Sequence, residues 1–214
     1  MVATWFDLSG NQRHATQGTL AKKPLYKVNI INGKPVVRGD GVDDILVSSA
    51  ITLAACTVMV VAQPVTLDST NADRPLVDIR TGTVDDIFFS MTANSIGNTR
   101  WHFSDYDGAA THGIYNDAAT AGAFAAGVPG IYTGIVNTAG TSWAAYKNGA
   151  LLATASNGRA PLGSYTPTLF QSSSGGGSAN CDLAEVILYT RDLSAYERRR
   201  VERYLSRKYG IAVV

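Results

Sequence analysis

The sequence predicts an all-β protein, a two-sheet sandwich of jelly-roll type with one C-terminal α-helix. Roughly eleven short apolar stretches, separated by turn residues, are spaced fairly evenly along the chain. Charged residues make up only 16% of the 214 residues, and there are 21 glycines, a composition that suits a sandwich with many turns. A helical pattern appears once, after residue 193. We expect residues 1–214 to form one domain, because sandwiches of this length often do not divide.

The first part of the chain predicts turns and a hairpin. Residues 5–17, WFDLSGNQRHATQ, are polar and rich in turn residues, and Asp7 can accept hydrogen bonds from nearby backbone amides. Apolar residues at 26–31 and 36–37 are joined through Asn32-Gly33, which predicts a hairpin. Residues 39–44, GDGVDD, form a tight acidic turn before a strand at 45–47.

The middle of the chain contains the most apolar strand. Residues 57–63, TVMVVAQ, are β-branched and almost unbroken, which indicates a strand buried on both faces. Asn148-Gly149 is the sharpest hairpin signal in the sequence. The other predicted strands lie at residues 76–80, 87–91, 100–103, 130–137, 142–147, 150–155, 169–171 and 183–189.

One long stretch, residues 104–127, is predicted to be a loop. It is rich in Ala, Gly, Asp and Asn and has few β-branched residues. A loop of this length inside a compact domain is usually functional or poorly ordered. We therefore expect any ligand site to lie there.

The C-terminal helix has recognisable start and stop signals. Ser194 and Glu197 form a capping box, and Gly210 suits a left-handed C-cap. One face is apolar, and we expect it to dock on the edge or end of the sandwich; this face consists of Val201, Tyr204, Leu205 and Tyr209. Six basic residues lie between positions 198 and 208. We interpret them as a solvated surface rather than a polyanion-binding patch.

Composition excludes several classes of function. The net charge of +1 provides no global field for nucleic acid or membrane. No run approaches 18 apolar residues, and the first residues show no signal peptide. Cys56 and Cys181 are predicted to be buried free thiols, although a disulfide stays open if their strands are neighbours.

Several motifs, in order along nearly the whole chain, resemble those of bacterial and phage laminin-G-like domains, which belong to the concanavalin A-like lectin/glucanase superfamily. The residues that carry the resemblance are WFDLSGN (5–11) with HATQ (14–17), NGKPVVR (32–38) with GVDD (41–44), YKNG (146–149), DLAEVILY (182–189), and LS (193–194), Glu197, YL (204–205) and KYGI (208–211). The sequence departs from the pattern at Gly39, where the family usually has an aromatic residue.

Catalysis is not expected. Glucanases of this superfamily have paired carboxylates on one strand, with about 5–5.5 Å between acid and nucleophile for retention. This chain has three glutamates; Glu185 has no acidic partner in its strand, while Glu197 and Glu202 belong to the helix. The three histidines, at positions 14, 102 and 112, show no metal-ligand spacing. We therefore predict that the protein is not an enzyme.

A sugar site would combine an aromatic platform with amide and carboxylate groups. The candidates flank or lie in the predicted loop: Trp101, Tyr106, Asp107, Tyr115 and Asn116. The resemblance also implies a possible Ca²⁺ site, with Asp105, Asp107 and Asp117 as ligands. The interpretation that we favour is that these acids only cap turns, and it is stronger still for Asp43-Asp44 in the acidic turn, a second candidate site.

The resemblance implies a non-catalytic recognition or structural module. We predict a phage virion protein, from a tail, fibre or capsid decoration, that contacts host polysaccharide and other virion proteins and can form homo-oligomers. The alternative location is a bacterial cell surface, as part of a longer protein. The alternative functions are a purely architectural virion protein and a glycan-active enzyme.

Overall fold

The computed structural model describes residues 1–67, 74–80, 87–93, 99–106, 110–115, 120, 122–156, 163–172 and 177–214, without the side chains of 87–93, Thr99 and Tyr106. Within these residues the chain forms two antiparallel sheets and one α-helix, as predicted. A short 3₁₀ turn, Leu20–Lys22, lies between the second and third strands. No helix in this part of the chain is long and apolar enough to span a membrane.

The larger sheet has nine strands among the described residues. In spatial order they are β1 (Thr4–Trp5), β2 (Ala15–Thr16), β5 (Leu46–Val47), β15 (Gly163–Leu169), β8 (Arg74–Arg80), β9 (Ile87–Ala93), β10 (Thr99–Tyr106) and β11 (Thr111–Ile114), with β6 (Ile51–Leu53) also pairing with β15. We call it the nine-stranded sheet.

The other sheet has seven strands among the described residues. In spatial order they are β14 (Ala150–Ala155), β13 (Trp143–Lys147), β12 (Gly130–Val136), β7 (Cys56–Pro64), β16 (Cys181–Tyr189), β4 (Lys34–Arg38) and β3 (Leu25–Ile31). We call it the seven-stranded sheet. It contains both predicted Asn-Gly hairpins, which join β3 to β4 and β13 to β14.

The core between the sheets is built around large aromatic side chains. Trp101 and Phe103 of the nine-stranded sheet meet Tyr132 and Trp143 of the seven-stranded sheet, with ring centroids 5.5 and 4.9 Å apart. Gly134 is required here, because a Cβ at this position would lie 2.8 Å from the Phe103 ring. All four aromatic side chains are fully buried.

The helix α1 (Ala195–Tyr209) covers the outer face of the seven-stranded sheet. Met59 and Val61 of β7 pack with Leu205 and Tyr209, while the alternate residues of β7 face the core between the sheets. The prediction that β7 is buried on both faces is therefore confirmed, because the helix covers its second face. The prediction that the helix lies at the edge or end of the sandwich is wrong.

The ends of α1 are as predicted. Ser194 Oγ accepts a hydrogen bond from the Glu197 amide, Glu197 Oε2 accepts from the Ser194 amide, and Gly210 ends the helix with φ of 65°. Arg191 and Ser194 lower the pKa of Glu197 to about 2, since both donate to its carboxylate. Tyr204, predicted to be on the apolar face, is 47% exposed instead.

Two predicted elements differ from the structure. Residues 104–127 are not one loop, since β10 continues to Tyr106, β11 follows, and Phe124 is buried against Tyr132. Of the strand predicted at residues 169–171, only Leu169 lies in β15, which ends there, while Gln171 makes an isolated bridge with Ser178. Both predictions differ because polar residues interrupt the apolar alternation by which a strand is recognised in sequence.

Candidate functional site

Strand β10 has an apolar face and a polar face. Trp101 and Phe103 point into the core, so the alternate residues His102 and Ser104 point to the outer face of the nine-stranded sheet. Their exposed fractions are only 1% and 0%. Polar side chains on the outer face of a sheet are usually exposed to solvent, so two buried ones mark this face as unusual.

The neighbouring strands extend the same polar surface. On β8, Val77 and Ile79 belong to the core, so Asp78 faces outward, and it lies directly opposite Thr168 of β15. Asp78 and Thr168 are both buried. Arg80 Nε lies 3.3 Å from Asp78 Oδ2, which pairs the buried carboxylate with a guanidinium.

Register brings β8 and β10 together across β9. Asp78 and Ser104 both pair with Phe88 of β9, so they occupy one row of the sheet. Thr168 continues that row on β15, and its Oγ1 donates to the Gln171 carbonyl at 2.7 Å. The row therefore places a carboxylate and two hydroxyls on one line across the sheet.

An exposed aromatic ring lies beside this row. Tyr115 follows β11, and its ring packs on His102 with centroids 4.5 Å apart and planes tilted by 55°. Tyr115 is 39% exposed, whereas His102 beneath it is buried. We define the polar face of the nine-stranded sheet by these residues: Asp78, Arg80, His102, Ser104, Tyr115 and Thr168.

The polar face combines a supported, partly exposed ring with carboxylate, hydroxyl, guanidinium and imidazole groups. Tyr115 and Arg80 reach solvent, so the ring can stack on an apolar face of a small molecule and the guanidinium can donate to its polar edge, whereas the other four residues are buried. The signal for it was present in the sequence, as polar residues alternating with Trp101 and Phe103. Ser104 was missed because β10 was predicted to end at Phe103. Asp78 and His102 were missed because the pairing with β8 and the contact with Tyr115 are not visible in sequence.

The predicted sugar-site residues fall in different places. Trp101 was wrongly predicted as a platform, because it is fully buried and packs on Tyr132 in the core. Tyr115 lies at the surface, and its ligand role stays a prediction. Tyr106 belongs to β10, but its side chain lies outside the described part, as do Asp107 and Asn116 altogether.

The predicted calcium ligands are not brought together by the described residues. Asp105 is 3% exposed, and its Oδ1 lies 3.7 Å from Nδ1 of His112 on the paired strand β11. Asp107 and Asp117 lie outside the described residues. Elsewhere in the described chain, no three His, Cys, Asp or Glu side chains form a potential metal site.

The acidic turn at residues 40–44 has a structural role. Asp40 Oδ1 accepts from the amides of Val42, Asp43 and Asp44, at 2.8, 3.3 and 3.4 Å. Asp44 Oδ2 accepts from the Asp40 amide at 3.0 Å. The interpretation as turn capping is confirmed for Asp44, together with Asp40, while Asp43 contributes its backbone amide.

All three glutamates are engaged on the other side of the sandwich. Glu185 accepts from Lys208 and Tyr209 at 2.8 and 2.9 Å, which ties β16 to the end of α1. Glu202 is buried and pairs with Arg198 at 2.6 Å. Glu197 is held by Arg191 at 2.7 Å in the capping box.

Comparisons with solved structures show the fold. A Trypanosoma rangeli sialidase solved with sialic acid matches with a TM-score of 0.61 and 15% identity over 100% of this chain and 32% of its own. Domain 4 of a Geobacillus stearothermophilus arabinanase, solved with arabinotriose, gives 0.62 and 12% over 87% and 82%. A pentraxin from Limulus polyphemus gives 0.53 and 15% over 73% and 72%.

The chain spans about a third of the length of the sialidase that it matches. Comparison with protein-family models gave no match, and neither did comparison with curated proteins. At identities of 15% and below, the three similarities concern the fold and not the activity. Together with the two antiparallel sheets, they show that the chain has a jelly-roll β-sandwich fold with a C-terminal helix.

Proposed function

We propose that this protein is a non-catalytic carbohydrate-recognition module, and that the polar face of the nine-stranded sheet is its ligand site. Sugars present hydroxyl groups at their edges and apolar C–H groups on their ring faces. The polar face presents one partly exposed ring, Tyr115, above a row of hydrogen-bonding groups that are themselves buried. This match in chemistry is what supports the proposal.

The single observation that carries it is the Tyr115–His102 pair. A tyrosine ring at a surface usually moves freely, but here the buried imidazole lies against it at 4.5 Å. A ring that is already held in place loses little conformational entropy when a ligand stacks on it. Solved structures of the same fold include an arabinanase domain in complex with arabinotriose, which supports the sugar class in general.

The substitution Tyr115→Ala tests the site. We expect it to weaken binding on a glycan array by at least about tenfold, the loss typical of a central aromatic contact. Tyr26→Ala is the matched control, since Tyr26 is 57% exposed on β3 of the other sheet. If the Tyr115 variant binds like the wild type, or if the control loses binding equally, the polar face is not the site.

The non-catalytic part of the proposal rests on where the carboxylates lie. None of the three glutamates is on the polar face, and Asp78 there is paired with Arg80. Incubation with the bound polysaccharide should therefore release no reducing ends. Sustained release of reducing ends by purified protein, abolished by Asp78→Asn, would establish an enzyme instead.

We propose a virion as the location, on a tail, fibre or capsid decoration, on the strength of the motif resemblance to phage laminin-G-like domains. The alternative is a bacterial surface, as part of a longer protein. Mass spectrometry of purified phage particles tests the first, and surface proteolysis of whole cells tests the second. Detection in neither would reject both.

One observation favours the architectural alternative. The edge strand β3 of the seven-stranded sheet exposes Leu25, Tyr26 and Val28, at 37%, 57% and 61%. An exposed apolar edge strand can pair with another chain. Light scattering after size exclusion measures whether the protein forms homo-oligomers; oligomers combined with an empty glycan array would favour the architectural role.

Calcium binding by Asp105, Asp107 and Asp117 stays a prediction. The described member, Asp105, lies beside His112 in the protein interior rather than facing solvent. Melting curves with calcium chloride and with EGTA test it directly. A higher melting temperature in calcium, lost in Asp117→Asn, would support the site; identical curves would assign the acids to turn capping.

A further inference from the structure

We propose that the exposed side of α1 binds an acidic polysaccharide, a polymer that carries carboxylates on its sugar rings. The residues on this side, which we call the arginine face, are Tyr196, Arg199, Arg200, Arg203 and Arg207, and all are exposed. They lie over the seven-stranded sheet, whereas the polar face belongs to the nine-stranded sheet. The inference is therefore independent of the proposed function.

Glu197 and Glu202, the glutamates of α1, form ion pairs with residues outside the arginine face. Glu202 is 1% exposed, pairs with Arg198 beneath the helix, and also accepts from Thr133 Oγ1 at 3.1 Å. Glu197 is held by Arg191 and by the cap. Within the described residues, none of the four arginines of the arginine face forms a salt bridge.

The spacing of the arginines opposes helix stability. Arg199, Arg203 and Arg207 follow one another at four-residue intervals, so each lies above the next on the same side of α1. Like charges at this spacing destabilise a helix. The helix dipole accounts for Arg207 in the last turn, but not for Arg199 and Arg203. An unfavourable row of this kind is best explained by an anionic partner.

The geometry suits a linear polymer with repeating charges. Four residues of helix advance about 6 Å, so Arg199 and Arg207 are about 12 Å apart along the axis. Guanidinium groups bind carboxylates through two parallel hydrogen bonds. The Tyr196 ring is 68% exposed, and the Arg200 guanidinium carbon lies 5.8 Å from its centroid, which gives a flat surface for a sugar ring.

Other anionic partners fit less well. Leu205 and Tyr209 of α1 are buried against the sheet, so Tyr196 is the one aromatic residue of the arginine face, too little apolar surface to bury the helix in a lipid bilayer. The net charge of +1 also provides little of the broad field on which nucleic-acid binding depends. Charge and exposed ring together favour an acidic polysaccharide.

The test compares two charge-matched variants on immobilised polygalacturonate by biolayer interferometry at low salt. In R199Q/R203Q two arginines of the arginine face are replaced; in R13Q/K22Q two exposed basic residues outside α1 are replaced. We expect the first variant to bind roughly tenfold more weakly, from two exposed ion pairs, and the second to stay within about twofold of the wild type.

Three outcomes would overturn the proposal: unchanged binding by R199Q/R203Q, an equal loss in R13Q/K22Q, or tighter binding of single-stranded oligothymidine than of polygalacturonate. Neutral dextran has no carboxylates, so it should not bind to the arginine face of the wild type. Folding does not confound the test, because removing like charges should leave the melting temperature at or above that of the wild type. Tyr115→Ala should retain binding to polygalacturonate, which separates this surface from the polar face.

Discussion

The fold places the carboxyl group of Asp44 where its ionised form is disfavoured. Burial raises its pKa to about 6, and the neighbouring charges of Asp40 and Asp43 add to the rise. The Asp40 amide donates to Asp44, which opposes the rise without cancelling it. The folded protein therefore binds a proton at Asp44 more tightly than the unfolded chain does.

The sign of the pH dependence follows from this. Stability from a raised carboxyl pKa is fully present below the unfolded value of 3.8 and is lost as pH rises through about 6. Asp44→Asn retains an acceptor for the Asp40 amide but cannot ionise. We expect the variant to melt a few degrees above the wild type at pH 8, with the difference vanishing near pH 4.

Differential scanning calorimetry of both proteins across that range measures this difference. All other groups titrate in both proteins, so the difference isolates Asp44. A constant offset at every pH would show that the substitution acts through packing instead.

At the same scale, Arg198 was predicted to belong to a solvated surface, and that prediction is wrong, since Arg198 and its partner Glu202 are both buried. They are 4% and 1% exposed, and the Arg198 guanidinium carbon lies 3.8 Å from the centre of the Tyr146 ring. Arg198 also donates to the Gly149 carbonyl at 3.3 Å. The ion pair is sheltered because the helix presents this side to β12 and β13 rather than to water.

Among the elements, the two Asn-Gly turns look alike in sequence but differ in surroundings. Asn32-Gly33 and Asn148-Gly149 all have positive φ angles, from 47° to 83°, as a tight hairpin turn requires. A Cβ on Gly33 would contact nothing within 4 Å. A Cβ on Gly149 would lie 2.8 Å from the carbonyl oxygen of Val214.

This contrast predicts unequal effects of one substitution. Gly33→Ala should cost about 1 kcal/mol from backbone strain alone. Gly149→Ala should cost at least about 1 kcal/mol more, because the C-terminal residues must also move. Urea denaturation of the two variants measures both values. Equal losses would show that the contact with Val214 does not stabilise the fold.

The helix α1 packs across the outer face of the seven-stranded sheet rather than at the edge of the sandwich. It shields Met59, Val61 and Ile131 of the seven-stranded sheet, and Glu185 binds its last turn through Lys208 and Tyr209. Burial there raises the pKa of Tyr209 well above its usual value, helped by the Glu185 charge.

Deleting residues 194–214 should therefore prevent folding, because it exposes an apolar sheet face and leaves Glu185 without its partners. We expect insoluble protein, or a chain without near-ultraviolet circular dichroism. Ser194→Ala serves as the mild comparison, since losing a cap costs about 1 kcal/mol. A soluble truncation with cooperative melting would contradict this role.

For the whole molecule, the antiparallel arrangement keeps the two cysteines apart. Cys56 begins β7 and Cys181 begins β16, and in their pairing Cys181 lies opposite Pro64. The eight intervals between Cys56 and Pro64 span about 26 Å, far more than the 7 Å limit for a disulfide. The prediction of buried free thiols is confirmed.

Both thiols should report on global unfolding. They are 0% exposed, and burial raises the pKa of each, so neither accessibility nor ionisation favours reaction. We expect no labelling by a thiol reagent in native protein and two labels per chain in denaturant. Reductant should not change the melting temperature; a decrease would indicate a disulfide.

Local sequence was sufficient for much of the fold. The caps of α1, both Asn-Gly hairpins and the doubly buried β7 could be predicted because each depends on neighbouring residues and on one periodicity. The candidate site was harder. Of the polar face, the sequence pointed only to Tyr115, while Trp101 was misassigned because an aromatic residue beside a loop looks the same whether it faces core or solvent.

The remaining features depend on contacts between distant parts of the chain. Asp78, Ser104 and Thr168 share one row only because β8, β9, β10 and β15 pair in a particular register. Arg198 and Glu202 are buried only because α1 lies on a sheet face rather than at its rim. Register and docking are set by packing the whole chain at once, so no local pattern predicts them.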